Sequence, residues 1–394
     1  MTNFAADFME PQIAYLIWNA DPELFSWEII SPRWYGLLFA LGFILSQQIL
    51  YYMHKKEGKP VQDVDTLTVY MVIATIIGAR LGHVFFYEPD KYLADPIQIF
   101  MITKGGLASH GAAVGILFAL WLYSKYDIKF KGLKLTSKKV NRPGQSYLEV
   151  LDRIVILIAM TGALIRVGNF INSEIEGKPT GSSTGVFFAR TVTDRLANDN
   201  SAIAEVSYAE GDGEVTDDGH SPVKINVVFK DGYDEATINN YMNLRVKNLL
   251  VSDYYIKKYV YEEEHVPLNY KIINDNGKWH GIIYSHAIIR YPSQLIEASG
   301  YLLIFILLFL IWNKYKEKLP KGRIFGLFLI TLFGLRIVFE FIKENQVDFE
   351  NELPFNMGQL LSVPLVIAGI IILVMSFRKS NHLASNGAEV EESK

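Results

Sequence analysis

The stretch ALIRVGNFINSEIEG, residues 163–177, closes an apolar run and decides how the chain is read. It sets Arg166, Asn169, Asn172 and Glu174 where a lipid-soluble helix should be leaving a bilayer. An arginine about one turn before that exit is costly unless it snorkels to the interface or faces an anion. The choice between these turns on which side of the membrane this end faces, and on which other polar residues reach the same level.

Composition supports a membrane setting. Of 394 residues, 50% are hydrophobic and only 20% charged, and mean hydropathy is +0.16; a soluble chain of this length is less apolar. A net charge of −4 and the lack of a basic tract interleaved with aromatics argue against nucleic acid as a partner. The absence of cysteine excludes disulfides, thiolate metal sites and a cysteine nucleophile. No cluster of residues suggests a metal or another cofactor. The first thirty residues lack a basic n-region and an apolar h-region, so the first span is expected to act as an uncleaved targeting signal.

Seven apolar runs reach the length of about 17–25 residues that crosses a bilayer as a helix. They run near Trp34–Tyr52, Leu67–Tyr87, Leu107–Tyr123, Arg153–Ile171, Ser293–Trp312, Ile324–Ile342 and Gly358–Phe377. Basic residues collect in alternate connections: Lys55, Lys56 and Lys59 in the first, seven residues from Lys125 to Arg142 in the third, and Lys314 to Arg323 in the fifth. The second and sixth are poor in them, with Lys343 standing among acids. Lysine and arginine mark cytoplasmic loops, which places the N-terminus outside and the C-terminus in the cytoplasm. The expected fold is an all-α polytopic membrane protein. Its membrane domain comprises residues 1–177 and 290–378, with a disordered cytoplasmic tail at 379–394.

Between the fourth and fifth spans lies a soluble insert, residues 178–289, expected outside the membrane. Its first part, from STGVFFARTVTDRLANDNSA to DGEVTDDGHSP, reads as polar loop. VKINVVFK then reads as a strand, EATINNYMNLRVKNLLV as an amphipathic helix and YYIKKYVYEEE as a second strand. LNYKIINDNGKWHGIIYSHAII reads as a hairpin turning at Asn276-Gly277. A small α+β module results, either with a binding or capping role or as a passive elaboration.

With this topology, spans of both directions bring polar residues to one depth, the outer leaflet: Tyr35, Arg80, His83, His110, Arg166, Asn169, Arg336, Glu340 and Gln359. Structural contacts alone would scatter in depth. A net basic chamber in low dielectric suits an anion, and guanidinium groups suit phosphate, so a phospholipid headgroup is the simplest occupant. Singly, each residue has a plainer reading. Arg336 and Glu340 stand at i and i+4 and can neutralise each other. Arg80 can snorkel, and His110 can be an interhelical hydrogen bond in a glycine-rich packing motif. Tyr35 can belong to an aromatic belt, and Gln359 and Ser362 to helix packing. Asp152 reads as a cap.

The motifs resemble those of the bacterial phosphatidylglycerol:prolipoprotein diacylglyceryl transferases. RVGNFINSEIEGKPT matches that family's Gly-Arg-x-Gly-Asn-Phe-Ile-Asn-x-Glu signature, with Ile165 where glycine is usual. RWYG (33–36), GARLGHVFFY (78–87), GGLASHGAAVG (105–115), PSQLIEA (292–298), RIVFEFIKE (336–344) and GQLLSVP (358–364) follow the family's order across all seven spans. Tyr291 replaces a usual histidine and Lys343 a usual arginine.

The resemblance implies an enzyme of the bacterial cytoplasmic (inner) membrane, with its site toward the outer leaflet. It would transfer a diacylglyceryl group from phosphatidylglycerol to the lipobox cysteine of a prolipoprotein signal peptide. It also implies that Arg166 binds the phosphate with Arg336, and that His110 is the catalytic or substrate-positioning histidine. Tyr35, Asn169, Glu174, Gly177, Glu340 and Arg80 are the remaining expected substrate-binding residues. A lipid transporter would need polar residues in the inner half as well. An intramembrane protease would need a Gly-x-Ser-Gly serine or paired aspartates, and neither motif is present.

Overall fold

The computed structural model describes residues 15–25, 31–101, 105–131, 134–198, 201–344 and 353–392. The chain runs β1 (Leu16–Trp18), α1 (Trp34–Lys56), α2 (Gln62–Phe86), α3 (Pro89–Ala94), α4 (Ser109–Lys125), β2 (Tyr126–Lys131), β3 (Lys134–Lys139) and α5 (Tyr147–Ile171). It continues with β4 (Val186–Phe188), α6 (Arg190–Leu196), β5 (Ile203–Glu210), β6 (Ser221–Phe229), α7 (Glu235–Tyr241) and α8 (Lys247–Ser252). Then come β7 (Val260–Tyr261), β8 (Tyr270–Asp275), β9 (Lys278–Ala287), α9 (Ser293–Tyr315), α10 (Arg323–Phe339) and α11 (Met357–Glu392).

Among the described residues five helices, α1, α2, α5, α9 and α11, are long and apolar enough to cross a membrane. Helices α4 and α10 have 17 residues each. At 1.5 Å per residue they reach about 25 Å, short of the roughly 30 Å hydrocarbon layer. The chain is a largely helical polytopic membrane protein with some sheet.

Two boundaries depart furthest from expectation. The fourth helix starts at Tyr147, not Arg153, because Ser146 and Glu149 form a capping box. The Ser146 backbone N–H and hydroxyl both donate to Glu149 Oε2, at 2.9 and 2.6 Å. Asp152 is therefore inside the helix. Its fully buried carboxylate caps another helix, accepting the N–H groups of Gly322 at 2.7 Å and Phe325 at 2.8 Å at the start of α10. At the other end of the chain, α11 continues to Glu392 through a stretch expected to be disordered. Its alanines and glutamates are good helix formers.

The chain divides into two compact units. One, residues 38–165, 297–338 and 354–394, is helical apart from the antiparallel β2–β3 pair. Its core holds Met53, Leu67, Leu120, Leu151, Ile156, Leu308 and Trp312. Helices α2 and α4 touch backbone to backbone: a methyl group on Gly78 would stand 2.5 Å from the Gly111 carbonyl oxygen. Beside the core, buried Glu57 accepts from Arg153 Nη2 and Trp312 Nε1, each at 2.7 Å, and from Lys59 at 2.6 Å.

The other unit, residues 1–37, 166–296 and 339–353, carries an antiparallel sheet ordered β5-β6-β9-β7, with β8 also paired to β9. Strand β6 alternates buried and half-buried residues along its whole length, as one covered face requires. Ile238, Met242, Val246 and Leu250, four residues apart, form the buried stripe of α7, the π-helical turn Met242–Val246 and α8. The Asn276-Gly277 hairpin is present, with both residues at positive φ as a type I′ turn needs. Two expectations fail here. The region expected as polar loop forms β4, α6 and β5, because Val186, Phe187 and Phe188 supply a fully buried run. YYIKKYVYEEE forms only a short 3₁₀ turn and the two-residue β7.

Candidate functional site

The unit that carries the five-stranded sheet also builds the exit turn that opened the sequence reading. Arg166 lies in the last two turns of α5, half-buried, and its Nη1 donates to Asn169 Oδ1 at 3.2 Å. Buried Asn169 passes the contact on, its amide donating to Glu174 Oε2 at 3.2 Å, while Asn172 donates to Glu174 Oε1 at 3.2 Å. Tyr35 packs beside them: a methyl on Gly168 would stand 3.1 Å from Tyr35 Cα, and the phenol interacts electrostatically with Glu174 and Arg166. The backbone that presents these groups is strained. Ser173 and Ile175 have φ of 53° and 57°, and a β-branched residue at positive φ is an outlier.

The strain is held by the segment that opens α9. Ser293 Oγ donates to the Ile175 carbonyl at 3.0 Å, and Gln294 Nε2 to the Glu174 carbonyl at 2.8 Å, both side chains fully buried. Gly177 is wedged between two segments. A Cβ there would lie 2.5 Å from the Tyr291 carbonyl oxygen and 3.1 Å from that of Ile342, which only glycine avoids. Its N–H donates to the Tyr291 carbonyl at 3.2 Å, and it bridges to Lys343. Buried Glu340 accepts from Lys343 Nζ at 3.4 Å. Tyr35, Arg166, Asn169, Glu174, Gly177 and Glu340 thus belong to one unit.

Arg80, His110 and Arg336 belong to the other. Arg80, 5% exposed, spends its guanidinium on backbone. Nε donates to the Ile99 carbonyl at 2.9 Å, Nη1 to those of Gly105 at 2.6 Å and Gly106 at 3.1 Å, and Nη2 to Gln98. Its ring neighbour Tyr92 and the pair His83–Glu88 complete a cavity of about 260 Å³. A Cβ on Gly106 would collide there with the His83 ring at 2.6 Å. His110 stands exposed in the first turn of α4, stacked on Tyr87 at 5.8 Å and edge-on to Phe86 at 5.2 Å. Arg336, in the last turn of α10, is half-buried. Gln359 bonds Asn356 reciprocally as an N-terminal box of α11 and donates to the Ile337 carbonyl at 3.3 Å.

This arrangement of motifs has relatives. A family model described as prolipoprotein diacylglyceryl transferase matches residues 22–375. The chain belongs to the prolipoprotein diacylglyceryl transferase family. Relatives named phosphatidylglycerol–prolipoprotein diacylglyceryl transferase share this family. The one from Tolumonas auensis is 31% identical over 364 residues, covering 92% of this chain and 98% of its own length. That from Chloroherpeton thalassium is 31% identical over 367 residues, 93% and 96%, and that from Porphyromonas gingivalis 32% over 371 residues, 93% and 96%.

Within this transferase-family chain, two sets of residues escaped the sequence reading. Ser293 and Gln294 were legible as polar, yet nothing in their spacing says that they clamp residues 174–175. Arg290 lay beside one recognised motif and Glu176 within another, with no periodic signal. Tyr291 contributes its backbone carbonyl to Gly177; Lys343 keeps a buried cation against Glu340.

Proposed function

We propose that this chain transfers the diacylglyceryl group of phosphatidylglycerol to the thiol of a prolipoprotein lipobox cysteine, the first step of lipoprotein maturation. Seven helices would cross the bacterial cytoplasmic membrane, with α4 and α10 as the short spans, the N-terminus outside and the C-terminus inside. The insert and the exit turn would then lie at the outer face. The observation that carries the reading is Arg166. It is a guanidinium at a membrane helix exit, oriented by Asn169 within the Asn169–Glu174–Asn172 chain of hydrogen bonds, in a chain of this family.

In the reaction, sulfur forms a thioether bond to the glyceryl carbon as that carbon's bond to the phosphate oxygen breaks. Glycerol phosphate departs with one more negative charge than the diester carried. Arg166 and Arg336 would meet that growing charge, where fixed cations in a water-poor site act most strongly. The thiol must lose its proton, and a free cysteine titrates near pH 8.5; His110 would accept or relay it. Tyr35, Asn169, Glu174, Gly177 and Glu340 would orient the headgroup and the arginines, and the arginine–carbonyl bonds of Arg80 would shape the loop leading to His110. Purified protein incubated with phosphatidylglycerol and a lipobox peptide is expected to add a diacylglyceryl mass to the cysteine, and none to a cysteine-to-serine peptide. Absence of the adduct with the cysteine peptide contradicts the reading. His110→Gln is expected to lower the rate, and an unchanged rate removes His110 from the chemistry.

A further inference from the structure

The insert reads from sequence as either a working part or an appendage, and one side chain distinguishes them. Arg290, just before α9, is 3% exposed. Its Nη1 donates to the Gly177 carbonyl at 2.9 Å and pairs with Glu344. Its Nε and Nη2 both donate to the Lys258 carbonyl, at 3.1 and 2.9 Å. Its backbone exchanges two hydrogen bonds with Val186, N to O at 2.9 Å and O to N at 3.0 Å. One guanidinium thus joins three segments: the exit turn at Gly177, the insert at Lys258 and the chain beyond α10 at Glu344.

We propose that Arg290 is a positioning residue of the transfer reaction, through which the insert holds the exit turn that carries Asn169, Glu174 and Gly177. This rests on the transferase reading of that turn. A turn with Ser173 and Ile175 at positive φ relaxes unless its surroundings fix it. The clamps on it come from the segment that Arg290 begins: Tyr291, Ser293 and Gln294. The groups facing Arg290 fit a rigid junction. Lys258 Nζ lies 3.5 Å from Glu344 Oε1, the Tyr259 ring 5.2 Å from the guanidinium, and Glu176 Oε2 3.9 Å from Nε. Burial pushes the Glu176 carboxyl up to about 8, despite the lowering effect of Arg290. At 3.9 Å the Glu176 oxygen is beyond hydrogen-bond reach, which leaves the guanidinium to Glu344 and the two carbonyls. The planar fork serves several acceptors at fixed angles, and an ammonium group does not reproduce it.

The test uses full-length, detergent-solubilised protein and two variants, Arg290→Gln and Arg290→Lys. Hydrogen exchange is followed at residues 172–178 and in β6 and β9, alongside kcat and KM for phosphatidylglycerol with a lipobox peptide. For Arg290→Gln, exchange at 172–178 should quicken while β6 and β9 stay protected, and kcat should fall about 10- to 100-fold with KM moving less. Arg290→Lys should lie between the parent and the glutamine variant in both readouts, and it decides the matter if Arg290→Gln does not fold. Parental exchange at 172–178, or faster exchange with parental kcat, would overturn the proposal. So would a fall in kcat without faster exchange. If the parent itself transfers nothing, the transferase reading fails, and the exchange data still report whether Arg290 holds the turn.

Discussion

Helix α5 carries one arginine near each end, and the two are used in opposite ways. Arg153 is 5% exposed and sends Nε and Nη2 to the Glu57 carboxylate, at 3.1 and 2.7 Å. That carboxylate also receives Lys59 and Trp312, so the charge is absorbed into the fold. Arg166 is half-buried and bonds a neutral amide oxygen, Asn169 Oδ1. An arginine matched to a carboxylate has done its work within the protein. An arginine left half-buried can still meet something that arrives. Sequence alone shows two similar guanidinium groups; their burial tells them apart.

That contrast can be tested through stability, beginning with the largest expected effect. Arg153→Ala leaves Glu57 buried without its main cation, and breaking such a pair costs about 3–5 kcal/mol. Chemical unfolding should show a loss of that size, while the transfer rate per folded molecule stays parental. A selective loss of rate at parental stability would reverse the roles given to the two ends. Asp152→Ala removes the carboxylate that accepts two backbone N–H groups at the start of α10 and should cost about 1–2 kcal/mol, visible as a lower unfolding midpoint; an unmoved midpoint would deny the cap. The third effect is pH-dependent. Burial holds Glu176 near 8 when folded, against an ordinary value of 4.5. Between these values the folded state keeps a proton that the unfolded chain has lost, so stability falls as pH rises. Glu176→Gln lacks that loss, and its melting temperature should gain on the parent's from pH 5 to pH 8. A constant difference would show that Glu176 is ionised throughout.

Much of the membrane part was legible because it follows rules of length and period. All seven apolar runs lie in helices, and among the described residues five of those helices are long and apolar enough to cross a membrane; only a helix satisfies the backbone of such a run in lipid. Their ends were less legible because caps decide them. Ser146–Glu149 set the start of α5 six residues earlier, and Asp152 turned out to cap a different helix. In the insert, the alternation of VKINVVFK and the Asn276-Gly277 turn were read correctly. Strand β4 was hidden because three buried residues carry no period. At the candidate site, motif residues named Tyr35, Arg166, Asn169, Glu174 and Gly177, and the structure brings them into one unit. The strain at Ser173 and Ile175 and the clamp from Ser293, Gln294 and Arg290 were invisible. They depend on segments more than a hundred residues apart meeting, which no local pattern encodes.

The most direct test of Arg166 as the phosphate grip is a transfer assay on full-length Arg166→Ala, with phosphatidylglycerol and a lipobox cysteine peptide. Loss of one such charge-stabilising donor costs about 100-fold or more. The account predicts a fall of at least that size, with parental helix content and unfolding midpoint. A variant that adds the diacylglyceryl group at the parental rate, with the parental dependence on phosphatidylglycerol, would contradict it.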